Sequence, residues 1–234
     1  NLRDAQLEAL QREVNELKNK PPEVRTVSVP AVDTTVSLVK VWSPRVAKIE
    51  CTWANQNGAV YARGSGSATI VSHDGIIKAI TSRHVLLYNE QYGPRECKLT
   101  LSTGASYTVA NNFTDNYFVG TEEDWGYIRL TPDATLNTIV KKKINICLNV
   151  EIGDKVLILG YPSIGSDAGL TVTEGILSGF DGNYFITSAK IDKGNSGGTA
   201  ILAGSSCYLG IPTASVVGSI ESLGRVLKAS LVMQ

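Results

Sequence analysis

The 234 residues carry 22 Lys+Arg against 22 Asp+Glu, so the chain has no net charge and no basic face of the kind nucleic acid requires. Hydrophobic residues make up 43% and charged residues 19%, which excludes a disordered chain and allows one large β domain or two small subdomains with cores of their own. No apolar run reaches the ~18–20 residues that cross a bilayer as a helix, but the chain starts at Asn1, so a signal peptide or anchor upstream stays open.

Residues 1–20 are expected to form an amphipathic or coiled-coil helix. Leu7, Leu10, Val14 and Leu17 make a short heptad stripe on an otherwise polar surface. Two readings apply: a helix lying on the domain, or the tail of a stalk that joins protomers or spaces the domain from an anchor. The stalk is preferred because Pro21-Pro22 stops the helix and begins an extended linker over residues 21–35.

From residue 36 to 234 the pattern changes to short apolar runs split by Gly, Asn, Asp and Ser. Strands are expected at 46–53, 59–62, 67–71 and 76–80, with His73-Asp74-Gly75 as a tight hairpin turn between the last two. More follow at 98–102, 107–110, 117–119 and 125–130, which completes a first barrel over about 36–131. A connector covers about 131–150. A second strand-rich block runs through 155–160, 170–179, 184–187, 198–202 and 207–211, forming a second barrel with a closing helix over about 151–234. That helix is expected at 221–232, where Leu223, Val226, Leu227 and Leu231 have helical spacing. The fold class is all-β, two packed barrels, although periodicity alone does not separate this from a sandwich.

Cys51, Cys97, Cys147 and Cys207 lack CxxC spacing and lie away from both histidines, which speaks against zinc. Disulfides and free thiols both stay open. The trio Lys141-Lys142-Lys143 reads as a solvated loop.

Chemistry gathers at Gly194-Asn195-Ser196-Gly197-Gly198. A serine hydroxyl is a poor nucleophile without a base, and acyl transfer also needs N–H groups aimed at the developing oxyanion. Glycines beside a serine permit the tight turn that does this; alone, the run is also an ordinary β turn. The base that fits is His84, at the end of an apolar strand, since His73 sits in a hairpin turn. The carboxylate that orients the imidazole is Asp124, which opens another apolar strand; Glu122 and Glu123 are its rivals.

Taken in order, these runs resemble the HtrA/Deg family of trypsin-like serine proteases, from about residue 44 to the end. Gly64-Ser65-Gly66-Ser67, His73-Asp74-Gly75 and Thr81-Ser82-Arg83-His84-Val85 are similar to its first conserved stretch. Asp124-Trp125-Gly126-Tyr127-Ile128 is similar to its aspartate strand. Ile152-Gly153-Asp154, Gly160-Tyr161-Pro162 and Thr171-Val172-Thr173-Glu174-Gly175-Ile176 follow, then the nucleophile run from Ser188 to Gly198, and Gly210-Ile211-Pro212-Thr213-Ala214. The order His, Asp, Ser is the chymotrypsin-like one.

The resemblance implies a chymotrypsin-like double β-barrel with His84 as general base, Asp124 as its orienter and Ser196 as nucleophile. It implies an oxyanion hole from the backbone of Gly194, Asn195 and Ser196, needing neither metal nor cofactor. It implies that Ile211, Pro212 and Thr213 pair with an extended polypeptide. Asn195 replaces the aspartate of digestive enzymes, so no zymogen cleavage is expected. No room for the family's PDZ domain is expected within these 234 residues, Thr199-Ala200 departs from the family pattern, and the segment after Ala214, which would wall the substrate pocket, is short. Lys190 occupies a place that lines the floor of the specificity pocket in this fold. Pointing inward it would select acidic residues; pointing outward, which is preferred for an unpaired lysine, it leaves a pocket for small aliphatic ones.

The expected function is thus a serine endopeptidase acting on extended or unfolded protein. The alternative is an inactive pseudoprotease that binds peptides. Self-association, with a trimer suspected, and an extracytoplasmic location with a membrane tether upstream of residue 1 complete the expectations.

Overall fold

The computed structural model describes residues 2–19, 35–111, 116–163, 169–217 and 222–233. Two units emerge, residues 1–32 and 33–234. The first holds helix α1 (Leu2–Asn19), on which Leu7, Leu10 and Val14 are exposed. The side chain of Leu17 and residues 21–34 of the expected linker lie outside the described residues.

The second unit begins with helix α2 (Thr35–Trp42), which the apolar pattern does not announce, and a 3-10 turn, Ser43–Arg45. Seven strands follow in one sheet: β1 (Val46–Ala54), β2 (Val60–His73), β3 (Ile76–Thr81), β4 (Glu96–Leu101), β5 (Ser106–Ala110), β6 (Tyr117–Val119) and β7 (Gly126–Leu130). A one-turn helix, α3 (Arg83–Leu86), lies between β3 and β4. The strand order is β5-β4-β1-β2-β3-β7-β6, all neighbours antiparallel, forming a half-barrel. Residues 60–62 and 67–71, expected within two separate strands at 59–62 and 67–71, fall along the single long β2. The β2–β3 hairpin turns as expected: His73 faces Ile76, and Asp74 and Gly75 have φ of 51° and 74°. Two positive φ values are what a type I′ turn demands.

The connector contains a helix, α4 (Ala134–Val140), started by Asp133, whose side chain accepts from the Leu136 N–H at 2.7 Å. The second half contains β8 (Lys155–Gly160), β9 (Thr171–Asp181), β10 (Tyr184–Thr187), β11 (Thr199–Leu202), β12 (Cys207–Val217) and β13 (Ser222–Lys228). They close a six-stranded barrel in the order β10-β13-β12-β11-β8-β9. Closure leaves no open edge between these strands.

The expected closing helix at 221–232 is corrected. Ser222–Lys228 is strand β13, and only α5 (Ala229–Val232) is helical. The barrel needs a strand between β12 and β10, and β13 supplies it. Val226 and Leu227 are both fully buried, on opposite faces of β13. Adjacent apolar residues break strand alternation and imitate helical spacing.

Three apolar clusters hold the unit together. One fills the half-barrel with residues such as Ile49, Ile70, Leu99 and Ile128. Another fills the closed barrel with Val156, Ile158, Leu209 and Val226. The third lies between the halves, where Val46, Val71 and Ile80 meet Leu157, Tyr208 and Leu227. Helix α2 seals this middle layer: Leu38 is fully buried and Trp42 stacks on Tyr208 with ring centroids 5.9 Å apart. Burying such side chains contributes roughly 1.5–3 kcal/mol each.

All four cysteines pair. Cys51–Cys97 joins β1 to β4 across directly facing positions, and Cys147–Cys207 ties the connector to β12.

Candidate active site

His84 stands on the one-turn helix α3, directly after β3. Val85 and Leu86 are buried in the half-barrel core, which anchors the turn and leaves the imidazole half exposed. Asp124 lies in the turn between β6 and β7. That turn is fixed by bonds from Gly120 N–H to Trp125 O and from Trp125 N–H to Glu123 O, both 2.8 Å.

Asp124 grips His84 with both oxygens. Oδ1 accepts the backbone N–H of His84 at 3.0 Å, and Oδ2 lies 2.8 Å from ring Nδ1. A carboxylate can only accept, so Nδ1 carries a proton, and in the neutral imidazole the lone pair is left on Nε2. The rival Glu123 turns the other way, accepting from Asn183 Nδ2 at 2.6 Å and from the Tyr184 hydroxyl. Burial, then the hydrogen bond to Glu123, pushes the Tyr184 phenol up to about 12. Glu122 is exposed.

Ser196 sits in the loop before β11. Asn195 N–H donates to Asp192 O at 2.9 Å, closing a four-residue turn in which Gly194 has φ +97°. Positive φ at the third position marks a type II turn, which requires glycine. A Cβ on Gly194 would also collide with the Tyr161 carbonyl. Among the described residues, no hydrogen bond is made by the N–H of Gly194 or of Ser196. Gly197 has φ +81° and no room for a Cβ, which would strike Thr81 Oγ1 and Ser67 O.

The loop is clamped from the other half. Ser67 Oγ donates to Gly194 O at 2.6 Å and accepts from Tyr161 N–H at 2.8 Å; Ser67 N–H donates to Ser196 O at 2.9 Å. Thr69 Oγ1 bonds Gly198 O at 2.9 Å, and Thr81 Oγ1 bonds Ser67 O at 2.7 Å. Sequence reasoning missed these three clamps. Ser67 and Thr81 lie within the runs that carry the family resemblance, but nothing there tells what they bond; Thr69 leaves only the trace of a small polar residue at a buried position of an apolar strand.

Gly66 marks where the halves of the site meet: a Cβ there would lie 2.7 Å from a Val85 methyl and 3.1 Å from Ser196 O. The residue beside His84 and the residue Ser196 therefore flank the same glycine. The Ser196 hydroxyl donates to Thr213 O at 3.3 Å. Thr213 is the extra residue of a bulge, since Pro212 faces Val226 and Ala214 faces Arg225.

The remaining expected residues are placed as follows. Asn195 is 2% exposed, and its side-chain oxygen takes no hydrogen bond among the described residues. Ile211 is fully buried between the halves, and Pro212 O accepts Gly197 N–H at 2.8 Å. Lys190 is exposed, its carbonyl bonded by Thr173 Oγ1 at 2.7 Å. Residues 218–221, in the segment expected to wall the specificity pocket, lie outside the described ones.

A model of the trypsin-like peptidase domain matches residues 64–210, more than half of the chain. The chain belongs to the trypsin-like peptidase family. Serine endoprotease DegS of Haemophilus influenzae is 26% identical to it over 210 residues, which is 82% of this chain and 55% of that protein. The chain thus spans about half the length of this relative. Both likenesses support an HtrA-like, trypsin-like protease of the serine type.

Proposed function

We propose that this trypsin-like chain is an endopeptidase that cleaves extended polypeptide, with Ser196 as nucleophile, His84 as base and Asp124 as orienter. The observation that carries the reading is the double grip of Asp124 on His84, one bond to the ring and one to the backbone. It fixes tautomer and ring direction together, which is what a general base needs.

In the proposed reaction Ser196 leaves its bond to Thr213 O and turns to His84 Nε2. Nε2 takes the proton as Oγ attacks the scissile carbonyl. The oxyanion is received by the N–H groups of Gly194 and Ser196, held in place by the type II turn and the Ser67 clamp. The proton passes to the leaving amine, and water then releases the acyl group from Ser196 by the same route.

Substrate would lie along β12 as an added strand. Beyond Gly210 this strand has left β11, and among the described residues its strand partner there is β13. Pro212 lacks an N–H and its carbonyl is occupied by Gly197, so Thr213 and the residues after it would do the pairing. Outward Lys190 favours small aliphatic residues before the cleaved bond; enrichment of Asp or Glu there in a peptide-library profile would reverse this. Two disulfides support an oxidising, extracytoplasmic location. The exposed stripe of α1 supports self-association through a coiled coil.

The test is an active-site fluorophosphonate probe. Labelling of the native chain that disappears in Ser196→Ala is expected. If no label attaches under any condition, the chain is a peptide-binding module and not an enzyme.

A further inference from the structure

Two features that sequence alone dismisses as solvated, the lysine trio and the turn histidine, meet across one cavity. Its volume is about 580 Å³, and Arg45, His73, Asp74, Lys141, Lys142 and Lys143 contribute to its lining.

Arg45 makes this more than a patch of surface lysines. It is 6% exposed, and its guanidinium donates to main-chain carbonyls, Ile70 O at 3.4 Å and Lys142 O. Those bonds use two of five N–H groups. No carboxylate pairs with Arg45 or with the three lysines among the described residues. Burial alone lowers the Arg45 pKa. A buried cation without a counter-ion is costly. The one acid on the wall is Asp74, whose side chain is 83% exposed and lies 3.3 Å from His73 Nδ1. That nitrogen is buried and makes no hydrogen bond among the described residues. Four basic residues, the three lysines exposed, thus share this lining with one largely solvated carboxylate.

We propose that this cavity binds a phosphate-type oxyanion carrying more than one charge. A single carboxylate would leave most of the cations uncompensated. Arginine and lysine together suit phosphate, the fork giving direction and the ammonium groups giving charge. The volume exceeds what one phosphate fills, so a pyrophosphate-sized group fits. Its source is either a soluble phosphate compound or a lipid headgroup. The site uses none of the residues around Ser196.

Calorimetric titration of the full chain with inorganic pyrophosphate, and co-sedimentation with phosphatidylcholine vesicles containing phosphatidic acid, distinguish the sources. At least one probe is expected to bind saturably. The double variant Lys142→Gln/Lys143→Gln should weaken it by about tenfold or more, with the thermal midpoint of the protein unchanged. Lys98→Gln, an exposed lysine elsewhere, should bind as the native chain does. Pyrophosphate binding alone points to a soluble ligand, and vesicle binding alone to a headgroup; both support the site. Failure of both probes, or equal affinity in the double variant, overturns it.

Discussion

Two neighbouring acids, Glu123 and Asp124, face opposite ways: one across to Tyr184, the other back to His84. Position at a strand start favours Asp124 in the sequence, but only the bonds of Glu123 to Asn183 and Tyr184 show why it is not available to the imidazole. Asp124→Asn should therefore cut the rate of fluorophosphonate labelling by about 10⁴-fold, the cost of the wrong tautomer, while Glu123→Gln should leave it within about tenfold. Tyr184 carries its own pH signature. Its pKa is raised from 10.0 to about 12, so its contribution to stability is complete below pH 10.0 and is lost as pH rises towards 12. Denaturation midpoints measured across that window should fall less steeply in Tyr184→Phe than in the native chain. Gly197→Ala adds a Cβ at φ +81° against Ser67 and Thr81. It should lower stability by more than ~1 kcal/mol and abolish labelling, as read by denaturant titration and the probe.

At the scale of elements, apolar runs set off by turn residues were legible as strands, the largely buried β8 included, and the reading failed where a run fits a helix equally well. In β4 burial alternates, and the apolar pattern located it to within two residues. In β13, Val226 and Leu227 point into two different cores, and the alternation vanishes. Helix α2 was invisible for a related reason: its eight residues include three valines, and its helical state depends on Leu38 and Trp42 docking between the halves. The partner of each cysteine was equally hidden, because register decides it. Cys51 faces Cys97 only once β1 and β4 are aligned. Sequence separations of 46 and 60 give roughly 4 kcal/mol for each bridge by loop-closure entropy. Reduction should accordingly lower the urea midpoint sharply, and Cys51→Ala/Cys97→Ala should reproduce about half of that loss.

For the molecule as a whole, the order of motifs carried the two-lobed β architecture, while the contacts that join the lobes became visible only in the structure, even at Ser67, which stands inside a motif. Ser67 and Thr69 of the half-barrel bond directly to the Ser196 loop of the closed barrel, and Thr81 braces Ser67 from within the half-barrel. The state of association belongs to this scale too: light scattering with and without residues 1–20 should show a larger particle only when α1 is present. Neither sulfur bridge, meanwhile, joins the two lobes: Cys51–Cys97 lies in the first, and Cys147–Cys207 fastens the end of the connector to the second. Nothing covalent spans the cleft except the polypeptide running through residues 131–150. Mild denaturant acting on oxidised protein should thus pull the stapled lobes away from each other before either one melts. A protease added at that point should nick the tether first, releasing fragments that each keep their own cystine.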